Sequence, residues 1–98
     1  MKITKDIDFS NIENLEKLLV ESNIPHIKRK IYDGYQILYP NIKECKCSIV
    51  CHSMSYGGEK GLLEIYGLLN DEEKREDDVV GHLDYLNVFE RIKKDYEV

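Results

Sequence analysis

Three cysteines fall within seven residues, at Cys45, Cys47 and Cys51, and His52 follows the last of them. Thiolates and imidazoles are the ligands zinc favours, in a tetrahedral set. The spacing C-x-C-x3-C-H is not the usual pair of C-x2-C knuckles. Cys45, Cys47, Ile49 and Cys51 alternate with Lys46, Ser48, Val50 and His52. On a strand this puts the cysteines on one face and His52 on the other. A zinc ion held by Cys45, Cys47, Cys51 and His52 therefore needs a bulge or an early strand end to bring the imidazole round. Otherwise His82, His26 or an acid must supply the fourth ligand. The plainer use of the same residues is packing, because a reduced cysteine behaves as a small apolar side chain. No oriented Cys–His–Asp set for a thiol nucleophile is readable.

Other chemistry-bearing residues are spread more thinly. The stretch Ser55 to Gly61 is glycine-rich but lacks the G-x4-G-K-[ST] order, and no helix follows it. It reads as a hairpin turn, with Tyr56-Gly57-Gly58 supplying residues that tolerate positive φ. The acids Glu59, Glu64 and Asp71 to Asp78 could include a catalytic pair only if their environments separated their pKa values. A charge run in a polar loop is more simply a solvated or partner-binding face. Lys28-Arg29-Lys30, interleaved with Tyr32, Tyr35 and Tyr39, could contact phosphate and stack bases. The same pattern suits an edge strand guarded by lysines. His82, between Gly81 and Leu83, fits a partly buried structural histidine better than a general base.

The elements that must position these residues alternate clearly. Ser10-Asn11-Ile12-Glu13 fits a capping box, and Ile12, Leu15, Leu18 and Leu19 follow at helical spacing. This predicts a helix over Asn11–Glu21, ended before Pro25. The runs His26–Tyr32 and Tyr35–Tyr39 predict a hairpin turning at Asp33-Gly34. The cysteine-bearing strand and the Leu62–Leu68 run predict a second hairpin, with Gly67 marking a bulge or a close backbone approach. Asn70 to Asp78 predicts a loop or a frayed helical turn. Val79–Leu83 predicts a short fifth strand. Asp84 resembles an N-cap, and Tyr85, Val88, Phe89, Ile92 and Tyr96 make one apolar helical face. The expected fold is α+β: an antiparallel sheet of four to five strands, flanked by an N-terminal and a C-terminal helix.

Ninety-eight residues without a repeat or linker predict one domain, residues 1–98. A 42% hydrophobic share beside 34% charged residues excludes a disordered chain. No apolar run approaches membrane-spanning length, and MKITKDIDF lacks the apolar region of a secretory signal. The expected location is the cytoplasm, where cysteines stay reduced. Net charge is -5, and Asp71–Asp78 holds six acids and two bases. That balance opposes nucleic-acid binding and favours a protein partner with a basic surface.

Three stretches together, GYQILYP, SYGGEKGLLEIYGLL and VVGHLDYLNVFERI, resemble small phage and prophage proteins of low-GC Gram-positive bacteria. The similarity covers about two thirds of the chain, from Gly34 to the last helix, and consists of turns and apolar positions rather than a catalytic motif. The resemblance implies a non-enzymatic protein that binds a host protein. Anti-CRISPR inhibitors of type II effector nucleases are the best-known group of this kind. The expected contact residues are Asp71, Glu72, Glu73, Glu76, Asp77 and Asp78. The alternatives are a small nucleic-acid-binding regulator and a zinc-stabilised domain of other function.

Overall fold

The structure is a computed structural model and describes residues 6–98. It is an α+β fold: a five-stranded antiparallel sheet with a long helix before it and another after it. The strands are β1 (Ile27–Ile31), β2 (Gly34–Tyr39), β3 (Cys47–Cys51), β4 (Leu63–Tyr66) and β5 (Val79–Leu83). They lie in the order β1-β2-β3-β4-β5, so each pairs with its neighbour in sequence. The helices are α1 (Ser10–Glu21), α2 (Asp71–Glu76) and α3 (Tyr85–Tyr96), and Gly58–Lys60 forms a single 3-10 turn.

Period-two alternation decides which side chains meet the helices. Ile37, Ile49 and Ile65 stand opposite one another across the three central strands, and each is 0% exposed. They pack with Ile12, Leu15 and Leu19 of α1 and with Val88, Phe89 and Ile92 of α3 in one core. Each fully buried side chain of this size stabilises the fold by about 1.5–3 kcal/mol. α1 and α3 lie side by side, with α1 also on β2 and α3 on β4. Asn11 ties the layers together: its side chain donates to the Gly61 carbonyl (3.1 Å) and accepts the Tyr85 amide (3.0 Å).

Two local expectations are corrected. Ser10 is not the N-cap of α1. Phe9 holds that position without a side-chain cap, and Asp8 accepts the Ser10 amide at 2.9 Å instead. The first hairpin turns at Tyr32-Asp33 rather than Asp33-Gly34, because Ile31 pairs with Gly34. Gly34 is already in the strand: a Cβ there would overlap the Cys51 carbonyl oxygen of β3. The turn's positive φ falls on Tyr32 (54°), a residue that pays steric strain for it. Gly67 marks a close approach, since a Cβ there would overlap the Lys46 carbonyl oxygen. The irregularity in the ladder lies between β4 and β5, where Leu63 pairs with Leu83 but Ile65 with Val80.

Candidate interaction surface on the acidic arm

The cysteines do not converge. Cys47 and Cys51 are the first and last residues of β3 and both are buried in the helix-covered core. Four residues of extended strand separate their Cα atoms by about 13 Å, too far to share one zinc ion at its ordinary bond lengths. Burial pushes the Cys47 thiol up to about 12 and the Cys51 thiol up to about 11. Cys45 precedes the strand and is exposed. His52 is buried beyond the strand's other end, with its ring edge-on to Tyr32 at 5.1 Å and its Nδ1 accepting the Met54 amide at 3.2 Å. His82 is exposed on β5, and His26 shares a hydrogen bond with the Ile24 carbonyl. Among the described residues, no group of three or more His, Cys, Asp or Glu side chains could hold a metal ion. The two buried thiols act in packing.

The basic trio is dispersed as well. Lys28 lies on the helix-covered face, pairs with Glu16 at 3.0 Å and sits over the Tyr35 ring at 4.7 Å. Arg29 points to the other face and donates to Gln36 at 2.8 Å. Tyr39 is 2% exposed and donates its hydroxyl to Asp95 (2.7 Å), so its ring is closed to a stacked base. Of the three tyrosines only Tyr32 is exposed, and its ring edge meets His52. β1 is an edge strand, as the lysine pattern suggests.

The acidic stretch is more ordered than a loop. Asn70 and Glu73 form a reciprocal capping box: Asn70 accepts the Glu73 amide and Glu73 accepts the Asn70 amide, both at 2.9 Å. Acids in the first turn and bases in the last suit the helix dipole. Yet α2 buries none of its residues. It is fastened by Arg91 of α3, which donates to both Glu73 oxygens at 2.8 Å, to the Leu68 carbonyl at 3.1 Å and to Asn87 at 2.7 Å. The Arg91 hydrogen bonds hold the Glu73 carboxyl down to about 2. Of the six expected contact acids, Glu73 is therefore turned inward as an anchor. Asp71, Glu72, Glu76, Asp77 and Asp78 remain exposed on one short arm. An open groove of about 670 Å³ runs beside its base, lined by Leu68, Leu69, Leu86, Glu90 and Lys94 among others.

Lys74 and Arg75 are exposed on the same arm, which stays acidic on balance. The β1 edge carries the basic trio, and the arm beyond β4 carries the acids. The role of Arg91 is not readable from the sequence, where it is one cation among several in the last helix. Its signal was the conjunction of one arginine with an N3 glutamate in a capping box, which becomes visible only once the two helices are adjacent. No protein-family model matches the chain, and neither the curated proteins nor the solved structures give a match. Among the described residues, no helix is long and apolar enough to cross a membrane.

Proposed function

We propose that this protein is a non-catalytic binding domain that docks its acidic arm on a basic surface of a protein partner. Following the resemblance of its turns to phage proteins, the proposed partner is a host defence protein such as a CRISPR effector nuclease, which docking would inhibit. The observation that supports this reading is the clamped arm: five exposed carboxylates held in place by Glu73 and Arg91 rather than left on a loose loop. Fixing the charges in advance lowers the ordering cost of binding, and a dense acidic patch steers association with a basic surface.

The test is a tagged pull-down from a Gram-positive lysate expressing CRISPR effectors, treated with nuclease and read by mass spectrometry. One enriched protein, released when salt is raised, is the expected result. Reversing Asp71, Glu72, Glu76, Asp77 and Asp78 to lysine should then weaken capture and flatten its salt dependence. Unchanged capture by that variant would remove the arm from the interface. Enrichment that depends on nucleic acid would overturn the protein-partner reading.

A further inference from the structure

The sheet face turned away from α1 and α3 is arranged in cross-strand rows. One row runs Arg29, Gln36, Val50, Glu64 from β1 to β4. The adjacent row runs Ile27, Leu38, Ser48, Tyr66, Val79 from β1 to β5. An antiparallel sheet with one solvated face usually presents polar side chains there. The second row is instead mostly apolar: Leu38 is already buried at 6% exposed, while Ile27 is 40% and Tyr66 60% exposed. The first row is polar except for Val50 and carries opposite charges at its ends.

Those charges are only partly used within the chain. Gln36 is 8% exposed, accepts from Arg29 Nε at 2.8 Å and donates to Ser48 Oγ at 2.8 Å. This chain lays Arg29 along the face and leaves its terminal guanidinium nitrogens without a partner among the described residues. At the other end, Glu64 Oε1 accepts the Tyr56 amide at 2.7 Å, and Oε2 has no partner among the described residues.

We propose that this face binds the same face of a second copy of the chain. A two-fold axis in the interface plane, parallel to the strands, keeps every residue at its height and reverses the strand order. Placed between β2 and β3, it lays β1 over β4 of the second copy. Arg29 then meets Glu64 of the other copy, and the pair occurs twice. Ile27 meets Tyr66 in the same way, one row along. Face-to-face sheets lie about 10 Å apart, a gap that the arginine and glutamate side chains span together. An axis perpendicular to the strands, placed at the height of this row, would instead set β1 on β1 and Arg29 on Arg29, which like-charge repulsion opposes. For a second copy, the charge order along this row therefore favours the axis parallel to the strands.

Sedimentation equilibrium of the full chain tests this. The expected species has twice the 11.5 kDa chain mass. Arg29→Glu and Glu64→Arg should each weaken association by roughly tenfold or more, since symmetry makes each change act twice. The double variant Arg29→Glu/Glu64→Arg should restore it. Glu64→Arg also loses the Tyr56 amide bond, so circular dichroism must show it folded. If it is not, Arg29→Glu and Tyr66→Asp carry the test, each predicted to shift the mass toward the monomer. A wild-type chain that stays monomeric to about 1 mM would overturn the proposal. So would a dimer indifferent to Arg29→Glu and Tyr66→Asp, or a folded double variant that fails to reassociate.

Discussion

α2 and α3 both begin with a side-chain oxygen accepting the amide three residues on: Asn70 for Glu73 and Asp84 for Asn87. Their attachments then diverge. α3 buries Val88, Phe89 and Ile92, and its far end is tied down through Asp95 by the Tyr39 hydroxyl and Lys46. α2 buries nothing and rests on one carboxylate gripped by Arg91. One helix is held mainly by apolar area, which has no titrating group. The other is held by a few charged hydrogen bonds, and its stability can change while the core stays intact.

The largest effect should come from the apolar side. Ile92→Ala should lower global stability by about 3 kcal/mol in urea unfolding, because a 0% exposed side chain leaves a cavity. A loss below about 1 kcal/mol would mean that α3 is not held by its buried face. A smaller, local effect is expected from Glu73→Gln. Neutral glutamine keeps part of the cap but loses the charge-assisted bonds, at a cost of about 1–2 kcal/mol to α2. The readout is amide exchange at Lys74 and Asp77, whose amides close the helix on Asn70 and Glu73. The pH sign follows from the lowered carboxyl. The clamp's contribution is complete above about 4.5 and is lost as pH falls toward about 2. Wild-type protection at those two amides should fade across that interval, and in Glu73→Gln the fading should be absent. The smallest change is Asn70→Ala, about 1 kcal/mol by loss of the cap, seen in the same amides and not in the global melt. A shifted global melt in either α2 variant would erase the distinction between the helices.

The sequence carried most of the scaffold. The apolar period of Tyr85 to Tyr96 and the cap at Asp84 specify α3 to its observed ends, and the Val79–Leu83 strand is likewise as expected. What misled were signals that compete locally. Asp33-Gly34 is a strong turn pair, but Gly34 is needed where β2 approaches Cys51, so the turn moves back one residue onto Tyr32. Ser10 offers a cap, but Asp8 takes its amide. The cysteine spacing is compatible with a metal set in one dimension only. Once β3 is straight, alternation sends Cys47 and Cys51 into the core at opposite ends of the strand. The acidic segment was legible as a surface, while the division of labour within it was not. That division depends on Arg91, eighteen residues beyond Glu73.

The strand order also bears on how the chain reaches this state. Every ladder joins sequence neighbours, so each closes only a short loop and carries little entropic cost. The seam between α1 and α3 is different, with the Asn11–Tyr85 bond linking residues 74 apart. A meander of this kind can assemble hairpin by hairpin, with the seam joined late. The Ile12, Leu15 and Leu19 stripe is then covered only in part, by the sheet, until α3 arrives, and a chain in that state exposes apolar surface to aggregation and to capture by chaperones.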